Sequence, residues 1–530
     1  MRAARRQTSP QRPASATSGR LAAARAHFDR GRRDEAERLC RAILRSRPDD
    51  AGALHLLGLV EDGRGHVERA VALLTEAAGA RPGDPAIRCD LGNALKACGR
   101  LQEALAHHAD VARMLPSSAA ALSNLGNTYL GLGQVDPAID CLAQAAFIAF
   151  DDPEIQYNYG TALLAAGRFE DAAVAFARTL VRLPAHARAH ANMGIALKEI
   201  GRLRDAADHL QEALRLDPGF DDAAWNLGLT RLLGGEWRAG FALHETRRRL
   251  PGFAIRAMEG AAWDGAPLDG RRLLVHAEQG IGDTMQFVRY LPRLAALGGD
   301  VVFLAPDRLL PLLAPATGDA RLAGGMEPLP AYDVQAPLMS LPHLLGDDAP
   351  YAPAQPYLAA DPARRGRWAE RLAGPGLRVG LVWQGNPNHR ADRRRSVPLA
   401  ALAPLAAVEG VRLIALQAGP GVEQREALPW AVERVEAADR PGDEGAFLET
   451  AAVIANLDVV IAPDTAAAHL AGALGANLWL MLPYVPDWRW GLIDDTTPWY
   501  PTARLYRQTA PGDWAGVASR LARALTEIRR

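Results

Sequence analysis

Cysteine is scarce: Cys40, Cys89, Cys98 and Cys141 are the four in 530 residues, and no two form a CxxC pair. That spacing gives neither a zinc-ligand set nor a disulfide framework, and reads as reduced thiols of a cytoplasmic protein. No run approaches the roughly 18 apolar residues that mark a membrane-spanning helix, and Met1 to Arg20 lacks the apolar core of an export signal. A soluble chain without an integral membrane segment is expected, in the cytoplasm. Net charge is nearly absent, with 60 basic against 61 acidic residues, which argues against a general binder of nucleic acid or membrane surface. Partners must then be recognised locally. Residues 1–16, with Arg2, Arg5, Arg6 and Arg12, read as a disordered basic arm.

What is present first is a period. Gly58, Gly92, Gly126, Gly160, Gly194 and Gly228 are spaced by 34, as are Ala36, Ala70, Ala104, Ala138, Ala172 and Ala206. Prolines at 48, 82, 116, 184 and 218 keep the same register, with Phe150 in the missing place. A second glycine series, from Gly31 to Gly235, marks a turn inside each unit. The pattern resembles the tetratricopeptide repeat and predicts an α-solenoid of seven repeats over residues 17–252, the last one degraded by Gly240. A solenoid buries its core by stacking, and its concave face offers a groove for extended peptide. Asp90, Asn124, Asn158, Asn192 and Asn226, also 34 apart, form a candidate peptide-binding ladder, since an amide can donate and accept together. Trp237 and Phe241, four apart on a helix, are expected to cap the array against the next domain.

From Trp263 the texture changes to strands alternating with helices, the mark of α/β structure. Leu273 to His276 reads as a strand, Gly280-Ile281-Gly282-Asp283 as a tight turn, and Thr284 onward as a helix with Asp283 at its entrance. Ala336 to Leu341 reads as an edge or loop segment, and the Pro/Gly/Ala-rich run 349–376 as a linker. A second unit opens with the strand Arg378 to Trp383, the loop Gln384, Gly385, Asn386, and a basic cluster of Arg390, Arg393, Arg394 and Arg395 beside Ser396, a setting suited to a phosphate. Another strand, Val411 to Leu416, ends in Gln417. The most informative stretch is LDVVIAPDTAAAHLAGALG, residues 457–475: strand, turn and a slim helix with Asp464 or Thr465 at its N-cap and His469 one turn in. Unpaired N–H groups of such a first turn are a ready phosphate site. Trp488, Trp490, Trp499 and Tyr500, with Arg489 among them, read mainly as core.

The motifs HAEQGIGDTMQFVRYLP, GLVWQGNPNHRADRRRS and DTAAAHLAGALG resemble the glycosyltransferase half of bacterial tetratricopeptide-repeat glycosyltransferases. That half is similar to family nine, the ADP-heptose:lipopolysaccharide heptosyltransferases, and more remotely to O-GlcNAc transferase. The resemblance implies a GT-B fold of two Rossmann-like halves, 253–372 on the acceptor side and 373–530 on the donor side. It implies inverting transfer from a nucleotide-sugar co-substrate, with no other cofactor; the solenoid, which the family-nine enzymes lack, adds the expectation of a protein acceptor such as flagellin or another surface protein. Asp283 matches the general base, with Glu278 as its rival. Asp464 and Thr465 match the donor-phosphate loop, and Gly280, Gly282, Gln384, Asn386, Arg393, Arg395, Ser396, Gln417 and His469 fall in regions that face the donor. No Asp-x-Asp pair occurs in the chain, so a metal-bridged diphosphate is not expected. Two alternatives stand beside this reading: an interaction scaffold with an inactive transferase half, and a heptosyltransferase-like enzyme acting on lipopolysaccharide or polysaccharide.

Overall fold

The computed structural model describes residues 14–251, 253, 258–278, 280–325, 328–354, 356–389, 391–435 and 446–529. Most of the basic arm, residues 1–13, and Arg390 of the basic cluster lie outside the described residues. Contacts divide the chain into two units, Met1–Leu197 and Lys198–Arg530.

The first unit is an α-solenoid of antiparallel helix pairs, beginning with Ala14–Asp29 and Arg33–Leu44 and continuing through Pro153–Ala165 and Phe169–Arg182. Each element of the period has a physical cause. A Cβ on Gly58 would lie 2.8 Å from Leu74, and one on Gly160 would lie 2.8 Å from Phe176, so these glycines let one helix of a pair approach the other. Ala36, Ala70, Ala104, Ala138 and Ala172 are fully buried in the same contacts. The turn glycines from Gly31 to Gly167 have φ between 73° and 81°, a backbone region other residues resist. A further 34-residue series starts the first helix of successive repeats: the side chains of Asp50, Asp84, Ser118 and Asp152 each accept from a first-turn N–H.

The second unit opens with helices Leu203–Leu216, Asp221–Leu233 and Trp237–His244, which continue the sequence period. Trp237 and Phe241 pack on Trp488, with ring centroids 6.3 and 6.1 Å apart, and this contact draws the last helices into the α/β unit. The division by contacts therefore falls well before the residue-252 boundary expected from the period.

Two parallel sheets come next along the chain. The first has β1 (Ala261–Ala262), β2 (Arg272–His276), β3 (Asp300–Leu304), β4 (Arg321–Ala323) and β5 (Val334–Pro337) in the order β1-β5-β2-β3-β4. The stretch read as an edge or loop thus begins inside an inner strand, because Val334 to Pro337 are buried on both faces between β1 and β2. The second sheet has β6 (Leu377–Leu381), β7 (Val411–Ala415), β8 (Glu433–Arg434), β9 (Val459–Pro463), β10 (Leu478–Leu482) and β11 (Ala503–Arg507) in the order β11-β10-β9-β6-β7-β8. Near-continuous apolar runs such as Val459–Pro463 and Leu478–Leu482 fit strands covered on both faces.

The presumed linker is built in. Tyr357 and Leu358 N–H groups both lie 3.2 Å from Ala473 O, and the helix Pro362–Arg371 packs on Leu448–Ile454 through Arg364 and Trp368, which both bond Glu449. That helix belongs with the second sheet, although the expected boundary placed it with the first.

Candidate functional site

Strand order in each sheet reverses at one point, β2/β5 in the first and β6/β9 in the second, and crevices for ligands form at the carboxyl ends of such strands. Beyond β2 the chain runs to Gly280 and the helix Ile281–Phe287. Beyond β9 it runs to Asp464, Thr465 and the helix Ala466–Ala473. These two helices touch: a Cβ on Gly282 would lie 2.9 Å from His469 and 3.5 Å from Ala466. Gly282, expected to face a donor, is the small residue that permits this contact.

Asp283 is three residues into its helix. Its Oδ2 accepts from Gly280 N at 3.2 Å and its Oδ1 from Arg489 Nη2 at 2.5 Å. Arg489 comes from the loop after β10 and is 7% exposed. It also donates to Gln286 Oε1 at 2.6 Å and to Asp487 Oδ1 at 2.8 Å, and its guanidinium lies 4.4 Å from the Trp488 ring centroid. Burial opposes its charge, but Asp487, Asp283 and Asp464 outweigh burial and raise its pKa.

Asp464 has His469 Nε2 at 3.5 Å from Oδ1. Burial works against ionisation of this carboxyl, yet His469, Arg489 and Trp490 bring it down to about 2. His469 is buried, with Nδ1 2.9 Å from the Tyr500 hydroxyl and its ring stacked on Trp490. Thr465 takes the N-cap position in extended conformation, and its hydroxyl donates to Pro463 O at 3.3 Å and accepts no capping bond from the helix N–H groups. The first intrahelical bonds are those of Ala468 and His469 to Thr465 O, so the N–H groups of Ala466 and Ala467 come before them.

The β6 loop closes this region. Arg395 Nη1 donates to Asp464 O at 2.9 Å, which spans the β6/β9 reversal, and its Nε reaches Asp392 at 3.3 Å. Arg394 pairs with Glu199, and Arg393 is exposed. Asn386 is exposed and its side chain caps the Asn388 N–H at 3.0 Å.

Several expected site groups are already committed. Gln417 accepts from Trp383 N and Gln384 N, and donates to Gln384 O and Pro420 O, so its amide ties the ends of β6 and β7 together. Gln384 Oε1 accepts from Gln424 at 2.8 Å, and Ser396 Oγ accepts from Gly385 N at 3.0 Å. Glu278, the rival base, has a side chain with no exposure; it accepts from Arg247 at 2.8 and 3.0 Å and from Met339 N at 3.0 Å. Buried this way it cannot meet an acceptor hydroxyl. Asp487 and Arg489 were missed as site residues. The sequence signal for them was a charged pair inside an aromatic run, which burial alone explains equally well.

The ladder is altered too. In the first unit Asn124, Asn158 and Asn192 donate to Cys89 Sγ, Ser123 Oγ and the Tyr157 hydroxyl of the preceding repeat, at 3.1, 3.3 and 3.4 Å. Asp90 likewise meets His55 at 2.6 Å. In the second unit Asn226 turns to Asp222 O of its own helix. The amides of Asn124, Asn158 and Asn192 therefore clip repeats together through their N–H groups, and that of Asn226 does not.

The described residues thus form a helical-repeat array and an α/β unit with a charged crevice. The family model of the tetratricopeptide repeat matches residues 21–85, 97–158 and 163–232. Arrays of this type are protein-interaction surfaces. Protein FlbA of Caulobacter vibrioides is 28% identical over 381 residues, covering 60% of this chain and 63% of FlbA, so the chain spans less than two thirds of that relative. The stretch matched is longer than the helical array, which ends at Arg249. Among solved structures, Pseudomonas aeruginosa PilF is 17% identical with a TM-score of 0.36, over 40% of this chain and 96% of that one. YrrB, described as a TPR protein with an unusual peptide-binding site, is 21% identical with a TM-score of 0.30, over 35% and 95%. Among the described residues no helix is long and apolar enough to cross a membrane.

Proposed function

We propose that the second unit is an inverting, metal-independent glycosyltransferase with a GT-B arrangement, moving a sugar from a nucleotide-sugar donor to a protein acceptor that the repeats grip. The observation that carries this reading is the gathering of Asp283, Asp464, Arg395 and the first turn of helix Ala466–Ala473 at the carboxyl ends of β2, β6 and β9. In the proposed step the acceptor hydroxyl oxygen bonds the anomeric carbon from the face opposite the leaving group. The bond from that carbon to the phosphate oxygen breaks, the nucleotide leaves with its electron pair, and the hydroxyl proton passes to Asp283. Arg489 holds Oδ1, and Oδ2, which accepts from the Gly280 N–H at 3.2 Å, would take the proton on its second lone pair. The helix N–H groups and Arg395 would stabilise the charge growing on the departing phosphate.

The test is a thermal-shift screen of the full chain against ADP-, UDP-, GDP- and CMP-sugars, repeated on Asp464→Ala, followed by transfer assays with Asp283→Asn. A shift with one nucleotide, lost in Asp464→Ala, is expected. Asp283→Asn should keep the shift and lower transfer by about 10²–10⁴-fold; undiminished turnover would sink the base assignment. The second reading is an interaction scaffold with a silent α/β unit. The closed Asp283–Arg489 pair and the committed Gln417 favour it. Absence of any shift would decide for the scaffold.

A further inference from the structure

At the carboxyl ends of β10 and β11 a cavity of 610 Å³ opens between the edge strand β11, the loop after β10 and the turn at Ile200–Gly201. Its volume is that of a small-molecule site. Val485 and Leu492 give it an apolar wall, and Tyr484, 41% exposed, an aromatic one. Three guanidiniums, Arg504, Arg507 and Arg520, line it against one carboxylate, Asp495. Arg507 donates to the main-chain carbonyls of Trp490, Gly491 and Asp494, and burial lowers its pKa against the opposing pull of the Asp494 and Asp495 carboxylates.

Gln508 supplies an independent sign. It lines the same cavity and is 6% exposed. Its Oε1 accepts from Tyr484 N at 3.2 Å and Gly512 N at 3.1 Å, which fixes the orientation of the amide. That orientation leaves Nε2 buried with no partner among the described residues. A buried amide donor without an acceptor calls for an oxygen from elsewhere.

We propose that this cavity binds a small phosphorylated organic molecule of nucleotide size, at a site separate from the Asp283–Asp464 cluster. The guanidiniums supply donors for phosphate oxygens, and the tyrosine and aliphatic wall receives the organic part. β11 is two strands from β9, about 10 Å along the sheet. The site is independent of the transferase reading, because none of its residues belongs to the crevice. It does bear on that crevice: Arg507 holds the carbonyls of Trp490 and Gly491, immediately after Arg489.

The test is calorimetric titration of the full chain with uridine and adenosine 5′-monophosphate and with inorganic phosphate. It is repeated on Tyr484→Ala and Arg504→Gln, both exposed positions, and on Asp464→Ala. A nucleoside monophosphate should bind about tenfold more tightly than phosphate, weaken about tenfold in the first two variants, and change less than about twofold in Asp464→Ala. No binding, binding lost in Asp464→Ala alone, or phosphate binding as tightly as the nucleotides would each overturn the assignment.

Discussion

Leu74, Leu142, Phe176 and Leu210 fill one place in successive repeats, and His108 and His244 fill the same place, each 34 residues from the next. In the first unit His108 is buried under Gly92, whose Cβ would lie 2.4 Å from Nε2. Its Nδ1 is 2.8 Å from Thr128 Oγ1, and that hydroxyl donates to Asn124 O, so the ring donates through Nδ1. In the second unit His244 is equally buried but has Arg247 Nη1 at 3.3 Å, at the head of a network that runs through Glu245, Glu278 and Ser340. One slot of a periodic sequence is filled in the first case as packing with a single polar bond. In the second it opens a charged network that fastens the last helix to the ends of β2 and β5. The period specifies the place, and what the helix packs against decides the chemistry there.

The largest expected effect breaks the network side of this comparison. Arg247 and Glu278 are both without side-chain exposure, so removing one leaves the other charged and buried. Glu278→Ala should cost about 3–5 kcal/mol, seen as a lowered denaturation midpoint and lost hydrogen-exchange protection in β2 and β5. The double variant Arg247→Met with Glu278→Leu should recover most of that loss. A cost below about 1 kcal/mol for Glu278→Ala would mean that the pair does not hold these elements together.

The same contrast explains what the sequence disclosed. Stacked repeats contact their neighbours, so helix order, turn glycines and buried alanines all derive from a 34-residue step. The placement of Asp464, Thr465 and Asp283 at helix entrances was legible because each lies at a strand-turn-helix junction, a local pattern. Arg489 was not, because its meaning rests on a partner 206 residues away. Gln417 and Glu278 looked available from their positions beside strand ends, and only the neighbouring loops show their atoms to be engaged. The inner place of β5 was hidden for the same reason: a short run ending in proline reveals its place only through β1 and β2 on either side.

A second test sharpens the packing side. Burial, reinforced by Lys96, lowers the His108 pKa from 6.5 to about 4. The unfolded chain then takes up a proton below pH 6.5 that the folded ring refuses. The stability this neutral ring permits is complete above pH 6.5 and is lost as pH falls toward about 4. His108→Leu, which restores the residue of the neighbouring repeats, should show little pH dependence from this slot. Relative to the parent it should gain about 2–3 kcal/mol between pH 7 and pH 4.5, read by exchange protection of helix Pro85–Ala97. Equal losses in parent and variant would mean that another group governs the acid response of the array.

The smallest effect separates two rungs of one ladder. Asn158 donates to Ser123 Oγ of the preceding repeat, whereas Asn226 donates to Asp222 O within its own helix. Asn158→Ala removes a bond between repeats and should cost about 0.5–1.5 kcal/mol, a fall of several-fold in exchange protection of helix Pro153–Ala165 and of its neighbour Ala119–Gly131. Asn226→Ala leaves Asp222 O in its helical bond and should change protection of Asp221–Leu233 by less than that. Alanine is also the better helix former at both positions, which works against the loss and narrows it at Asn226. If the two variants behave alike, the amide between repeats contributes nothing beyond helix propensity.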